Sequence, residues 1–384
     1  MQIILHWNPR FGNSVGGGEI YISNIIQNML EFNHLIISNR SLPKSNNDFY
    51  KGFEKNIIYS NPPNITYPKI ITFPYNMFSE LIRLNNKKNI HKSIKPDLNI
   101  IHGIGLFGPL ERLYFKSGLD FINKDYFKEI SPKILTIHNL YSPLILKKNE
   151  RYVKYENKLF DQFDTFICID RNIYSFLKKR NPSKKSYYIP NSIPDYFFRN
   201  KSRKKQYNPK SPVLGFVGRY EYSRGIHILK KMVEETPKSF KFLLIFSTGD
   251  KIKQKIKKEF SSKENIELYY NIPNKDLVSY YQKMDYLFNP VLVKGISRVS
   301  LEAMASAVIP IMLDLGDRYP IIDSKTGILF KEENLYDLID KIQNLPGMKY
   351  HEMQKNAKNI SKEKFSNSII IKKLKEIYTM QMKN

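Results

Sequence analysis

Short apolar runs alternate with helical patterns along this chain, in two series separated by a polar, basic stretch. Runs of four to eight apolar residues that lack strict alternation suit strands buried on both faces, and helices between them supply the crossovers. The pattern predicts open α/β domains with parallel sheets covered by helices on both sides. The first series contains QIILHW, LNIIHGIG, KILTIHNL, FDTFICID and SYYIPNSI. After QIILHW comes NPRFGNSVGGG, then EIYISNIIQNML with Ile22, Ile25, Ile26 and Met29 at helical spacing, which reads as strand, glycine-rich loop and helix. The second series starts at VLGFVG and runs through IHILKKMVEE, FKFLLIFS, IELYY, KDLVSYYQKM, YLFNP, LEAMASA, VIPIML and GILF.

A chain of 384 residues is longer than one core usually organises. The expected division is a first domain over 1–200, a linker over 201–212 and a second domain over 213–360. Residues 361–384 read as one long basic helix, for which a return to the first domain is one course. The linker lies within RNKSRKKQYNPKSP, Arg199 to Pro212, which is polar, basic and marked by proline.

Cysteine usage and apolar run lengths narrow the setting. The lone Cys168 offers no intrachain disulfide and no cysteine-rich metal site, so a reduced, cytoplasmic compartment is expected. No apolar run reaches the ~18 residues of a membrane span, and MQIILHW lacks the basic start and long apolar centre of a signal peptide. The net charge is +26, and it is spread: 28 Lys and Arg against 16 Asp and Glu in residues 1–200, and 34 against 20 in the remainder. Attraction to nucleic acid, attraction to an anionic membrane surface and a coding bias toward Lys, Asn, Ile and Tyr all fit such a spread. DKIKQKIKKEF places Ile252, Ile256 and Phe260 four apart among lysines. That stripe suits either membrane-surface docking or packing on the helix's own domain.

Two stretches carry recognisable chemistry. In GFVGRYEYSRGIHIL, a strand ends in Gly218, and Arg219 and Arg224 flank a turn before Gly225 opens a helix. Two guanidiniums at a strand's C-terminal end suit a diphosphate, because Arg is permanently charged and grips phosphate oxygens bidentately. The alternative is a pair of arginines on a solvated loop. In VKGISRVSLEAMASAVIPI, Val293 to Ile311, Ser297 can cap a helix starting near Arg298. The backbone N–H groups of Gly295, Ile296, Ser297 and Arg298 would then face an anion at the helix N-terminus. Glu302 is an acid on an otherwise apolar helix and needs a partner, either ribose hydroxyls or a structural ion pair.

These residues resemble the GT-B glycosyltransferases, specifically the retaining glycosyltransferase family 4 (glycosyl transferases group 1). Five motifs follow in order over essentially the whole chain: GGGE at Gly16–Glu19, LTIHNLYSP, the pair FDTFICIDRNIYSFL and YYIPNSIPDYF, VGRYEYSRG, and VKGISRVSLEAMASAVIPI. The resemblance implies an α/β GT-B fold: two Rossmann-like parallel-sheet domains facing a central cleft. It also implies a retaining hexosyltransferase that takes a nucleotide-diphosphate sugar and needs no cofactor and no metal. Arg219 and Arg224 would hold the donor diphosphate and Glu302 the ribose. Gly16, Gly17 and Gly18 would let the first loop approach phosphates and acceptor, and His138 would sit beside the reacting sugar. The bland alternative for His138 is a histidine that closes a strand by bonding the backbone; His102 reads as structural. With the basic surface, the resemblance implies a glycan or lipid-linked acceptor at the cytoplasmic membrane face, with peripheral contact to anionic lipid and no nucleic acid.

Lys294 departs from the pattern. Eight residues before Glu302 the family usually carries an acid near the donor sugar's hydroxyls, and an ammonium there changes the local charge by two units. Three readings stay open: an anionic donor sugar, direct contact with the diphosphate, or a pocket that no longer turns over. The last would make the chain a non-catalytic GT-B partner of an active transferase. A basic nucleic-acid-binding protein is a further reading, carried by charge alone and without any motif.

Overall fold

Seven parallel strands build the first sheet: β1 Ile3–Trp7, β2 Asn33–Ser38, β3 Ile57–Tyr59, β4 Leu98–His102, β5 Lys133–Ile137, β6 Thr165–Cys168 and β7 Lys185–Tyr188. Their order is β3-β2-β1-β4-β5-β6-β7. Six more build the second: β8 Val213–Gly218, β9 Lys241–Phe246, β10 Ile266–Tyr270, β11 Tyr286–Asn289, β12 Ile309–Leu313 and β13 Ile328–Phe330, in the order β10-β9-β8-β11-β12-β13. Both sheets wind outward from their middle in two directions, so each has a topological switch point, at β1/β4 and at β8/β11. The computed structural model describes residues 1–8, 17–38, 53–59, 89–102, 129–138, 160–199, 207–260 and 263–383.

The chain forms two compact units, Met1–Pro190 with Ile371–Asn384, and Asn191–Ile370. The boundary lies at Pro190, ahead of the basic stretch 201–212 read as a linker. The reason is packing: Ile193 and Phe197 are fully buried in the second unit's core beside Leu243, Tyr281 and Phe365. Tyr207, inside that same stretch, stacks on Tyr350 with ring centroids 3.7 Å apart, and its hydroxyl meets that of Tyr286 at 2.6 Å. The stretch thus ends as part of the second core.

Helices cover the sheets as the apolar spacing requires. In the first unit α1 is Gly17–Asn28 and α2 is Arg171–Arg180, the latter capped by Asp170, whose side chain accepts from the Asn172 amide. In the second unit α3 is Ile226–Glu235, α4 Asp250–Phe260, α5 Leu277–Tyr281, α6 Arg298–Ala305 and α7 Leu335–Gln343. Helix α4 settles the two readings of its stripe: Ile256 and Phe260 are buried in the second core with Phe246, and Ile252 alone stays exposed. The chain then ends in α8, Gly347–Phe365, and α9, Asn367–Lys383. The tail is two helices because Ser366 leaves the helical conformation (φ −61°, ψ 151°) and forms a bridge with Ile193. From Ile371 onward α9 belongs to the first unit, where Lys375 pairs with Glu31 at 2.6 Å. Among the described residues no helix is long and apolar enough to cross a membrane. Cys168 is buried in β6, and burial pushes its thiol up to about 12, which makes it inert at neutral pH.

One buried charge holds a turn of the second unit in shape. Arg318 is 2% exposed, and its Nε donates to the Leu313 carbonyl at 2.9 Å. Its Nη1 donates to the carbonyls of Val293 and Gly295, both at 2.6 Å, and its Nη2 to that of Val291 at 3.1 Å. A planar guanidinium can serve four divergent carbonyls at once, which a lysine ammonium cannot. Arg318→Met should strand buried carbonyls of loop 291–295 and destabilise the second unit by about 3 kcal/mol. Arg318→Lys should recover little of it. Equilibrium denaturation of the two variants checks both; a Met variant as stable as the parent would contradict this role.

Candidate functional site

The two stretches singled out by their chemistry leave the second sheet from adjacent strands. The arginine turn follows β8, and loop 290–297 follows β11, so both emerge at the strand C-termini that bound the β8/β11 switch point. That is where open α/β sheets bind ligands. The segments touch: the Leu292 amide donates to the Ser223 carbonyl at 3.0 Å. Gly225 sits at φ 71°, and a Cβ there would fall 2.0 Å from the Pro290 carbonyl oxygen. Only glycine allows this approach at this backbone angle.

Helix α6 starts at Arg298 with Ser297 as its N-cap, the Ser297 hydroxyl accepting from the Ser300 amide at 3.3 Å. Asn289, the last residue of β11, fixes that cap by donating to the hydroxyls of Ser297 (2.5 Å) and Ser300 (2.8 Å). Gly295, at φ 89°, turns the loop so that Ile296 and Ser297 lead into the helix. First-turn amides of an α-helix lack intrahelical acceptors and carry the positive end of its dipole.

The charged groups around this corner divide into satisfied and unsatisfied. Arg219 is largely exposed and pairs with Glu221 at 2.9 Å. Arg224 is half-buried, and burial followed by the nearby Arg219 charge lowers its pKa, so two cations stand together with Glu221 as counter-charge. Arg298 donates through Nε to Glu302 Oε1 at 2.8 Å, while its buried Nη2 has no hydrogen-bond partner among the described residues. Lys294 is exposed and makes no ion pair among the described residues. Glu302 finds protein partners for the charge that the sequence reading assigned to ribose hydroxyls or an ion pair. It is 1% exposed; Oε1 also accepts from Asn274 at 2.9 Å, and Oε2 accepts from Tyr281 at 3.2 Å. Asn274 is itself held by the Tyr196 hydroxyl at 2.7 Å. Asn274, Tyr281 and Arg318 were not legible as site residues because they come from segments with no local motif.

The first unit's candidates lie at the C-terminal edge of the first sheet. Gly16 falls outside the described residues. Gly17 and Gly18 belong to the first turn of α1 and not to a loop. His138 follows the last residue of β5 and is 6% exposed. It ends a row of four buried histidines: His34 Nδ1 lies 2.9 Å from His6 Nε2, His6 Nδ1 3.1 Å from His102 Nε2, and His102 Nδ1 3.4 Å from His138 Nε2. Burial lowers the pKa of every member, well below the usual range for His6 and His102 and to about 3 for His138. Tyr21 of α1 packs its ring edge-on to His138, with centroids 5.2 Å apart. His6 and His34 escape a linear reading because their partners come from other strands. The signal was a histidine within or closing each of four apolar runs, LHW, NHLIIS, IIHG and TIHN. A separate hollow lined by His91, Lys95, Glu129 and Ser131 lies at the opposite, N-terminal end of β4 and β5. Among the described residues no group of three or more His, Cys, Asp or Glu side chains is arranged to hold a metal ion.

Comparison with known proteins bears on the fold and on the second unit. Residues 211–346 match the family model described as "Glycosyl transferases group 1", which spans both stretches of the corner at β8/β11. No curated protein sequence gives a significant match. Solved structures match over nearly the entire chain. Sucrose-phosphate synthase from Thermosynechococcus elongatus aligns at a TM-score of 0.75 and 15% identity, covering 99% of each chain. Anabaena HepE, solved with UDP-glucose, gives 0.70 and 14%, covering 99% of this chain and 100% of its own. A glycosyltransferase from Rickettsia africae gives 0.70 and 18%, covering 100% and 99%. The chain has the α/β GT-B fold of these glycosyltransferase structures, with two parallel sheets clothed by helices, and its second unit carries the group 1 signature.

Proposed function

We propose that this chain is a glycosyltransferase that moves a sugar from a nucleoside-diphosphate donor to a hydroxyl acceptor with retention of configuration. The observation that carries the proposal is the convergence at the β8/β11 switch point of the turn that carries Arg219 and Arg224 and the loop that leads into the N-terminus of α6. Arg219 and Arg224 stand together with Glu221 as counter-charge, and the N-terminus of α6 adds amides and the positive end of a helix dipole, so a diphosphate would supply the charge and the acceptors that this corner lacks. The UDP-glucose held by HepE in the same fold supports this choice of ligand.

The chemistry follows from that placement. As the glycosidic bond to the diphosphate breaks, negative charge grows on the leaving oxygens, and preoriented guanidinium and amide donors stabilise it without reorganising. These donors also let the reaction proceed without a metal. Glu302, locked by Arg298, Asn274 and Tyr281, holds Arg298 in place and keeps lone-pair capacity for a ribose hydroxyl. The spread of basic charge supports an anionic or lipid-linked acceptor at the cytoplasmic membrane face. Release of nucleoside diphosphate from a panel of nucleotide sugars, with and without acceptor glycans, tests the assignment. A protein that neither binds nor turns over any of them is not a transferase.

Arg224→Ala should weaken nucleoside-diphosphate binding by about 1.5–3 kcal/mol, the scale of a lost charge-assisted hydrogen bond at a half-buried site. Arg219→Ala should cost less, about 0.5–1 kcal/mol, because that side chain is exposed and already paired with Glu221. Calorimetric titration with UDP or ADP ranks the two; equal and unchanged affinities would remove the site.

Transfer should persist in saturating EDTA, since arginines and helix amides neutralise the diphosphate. Loss of turnover that returns only with Mg²⁺ or Mn²⁺ would overturn the metal-independent mechanism.

Lys294 is the position at which donor charge can be tested. If its ammonium faces an anionic sugar, the protein should favour a uronic-acid donor over its neutral counterpart, and Lys294→Glu should reverse that order. If it touches only the diphosphate, the variant should lose both donors together. The ratio of kcat/KM for a matched acidic and neutral donor pair separates these, and equal use of both donors by the natural protein rules out the anionic sugar.

A further inference from the structure

The histidine row of the first sheet has a direction. Spatial order runs β2-β1-β4-β5, and each histidine stands two residues ahead of the one before it. His34 pairs with Ile4, two before His6; His6 pairs with Ile100, two before His102; His102 pairs with Thr136, two before His138. A two-residue step keeps all four side chains on one face of the sheet and offsets neighbouring rings along the diagonal. The rings of His34, His6 and His102 lie nearly parallel, with centroids 5.2 and 5.4 Å apart and interplanar angles of 27° and 22°. The row begins at a backbone carbonyl, since His34 Nε2 lies 3.0 Å from the Met29 oxygen.

A carbonyl oxygen only accepts, so His34 must carry its proton on Nε2. In a neutral ring its Nδ1 then accepts, which forces the proton of His6 onto Nε2. The same step repeats at His102 and at His138. Four neutral rings carry four ring protons, and the four bonds of the row use all of them. What remains is one lone pair, on Nδ1 of His138, which has no hydrogen bond among the described residues. Reversing any single ring sets two lone pairs or two N–H groups face to face in a buried site. Burial keeps the rings neutral, as the lowered pKa of each member shows. The groups around the row do not disturb this order: Tyr21 presents ring edges to His102 and His138, and Glu31, near His34, is neutralised by Lys375.

We propose that His34, His6 and His102 are positioning residues that transmit the Met29 carbonyl's demand for a donor across four strands and lock His138 as its Nε2–H tautomer. Nδ1 of His138 is thereby an acceptor-only nitrogen at the C-terminal edge of β5, matched to an O–H donor such as a substrate hydroxyl. The tautomer lock stands on the first unit's geometry alone; the hydroxyl ligand rests on the transferase reading above.

Long-range ¹H–¹⁵N correlation of the full chain with ¹⁵N-labelled histidine reads the tautomers directly. His138 should show a protonated Nε2 and a bare Nδ1 as a single species; a protonated Nδ1 in the natural protein overturns the proposal, whatever any variant does. His34→Phe cuts the row from its carbonyl and should leave His138 as a mixture of both tautomers. His34→Gln restores an acceptor toward His6 and a donor toward Met29, and should return the single species. A His138 spectrum unchanged in a folded His34→Phe variant also overturns the lock. In the catalytic arm, His34→Phe should lower kcat roughly ten- to hundredfold, the scale seen when partners that orient a functional histidine are removed. Nucleoside-diphosphate affinity should stay unchanged, because that site lies in the other unit. Unchanged kcat beside a scrambled tautomer removes the substrate role of Nδ1 and leaves the lock. A natural protein without any transfer activity sinks the transferase reading alone, while its His138 tautomer still decides the proposal.

Discussion

A parallel strand cannot reach its neighbour by a hairpin, and nearly everything in this molecule follows from that. Every connection must cross a sheet face as a helix or long segment, so both faces are covered and all strand C-termini point to one edge. Where the winding changes direction, the connections after two adjacent strands run apart and leave a corner that no helix fills. In the second unit β8 and β11 bound that corner. The loops that leave them are pinned together through Ser223 and Leu292, and glycine at position 225 lets one backbone approach the other. The corner is therefore a product of topology first, and its guanidiniums occupy it afterwards.

Buried polar groups inside this frame serve two ends. Arg318 is surrounded by carbonyls and completes a loop; its four described bonds tie Leu313, Val291, Val293 and Gly295. Asp285 acts similarly at the other end of β11, where its carboxylate accepts from the Val213 amide at 2.7 Å beside the Tyr207, Tyr286 and Tyr350 cluster. Arg298 differs: one face satisfies Glu302, while Nη2 is buried without a partner among the described residues. An unsatisfied buried donor is unfavourable in the free protein and is relieved when an acceptor arrives. Arg318 is thus a charge whose described bonds complete the fold, whereas Arg298 keeps donor capacity beyond its pair with Glu302.

The strands were legible where apolar runs were long and bounded by turn residues, as in VLGFVG, FKFLLIFS and VIPIML, because burial on both faces leaves that mark on local sequence. β2 and β3 were not read: NHLIIS opens and closes on polar residues, and β3 has only three residues. The tail was legible as helical but not as broken, since the bridge between Ser366 and Ile193 is a contact across distant sequence. The same limit governs the site. The N-cap at Ser297 is a local effect and was readable; the partners of Glu302 are Asn274 and Tyr281, whose position depends on how α5 packs. The histidine row needs the strand order, which alternation along the chain does not encode.

Lys294 looks different once the fold around it is known. The carbonyls of Val293 and Gly295, on either side of it, are both held at 2.6 Å by Arg318, so the backbone that carries Lys294 is fixed independently of its own side chain. That side chain is exposed and forms no ion pair among the described residues, so folding places little constraint on its charge. A position whose backbone is rigid and whose side chain is free can exchange an acid for a base without loosening the loop or the cap of α6. The departure at 294 therefore does not imply a decayed corner: the Asn289–Ser297–Ser300 cap, the Arg298–Glu302 pair and the Arg318 clamp are all intact around it. A base in place of an acid there changes the local potential by two units of charge at a point whose backbone is fixed by Arg318.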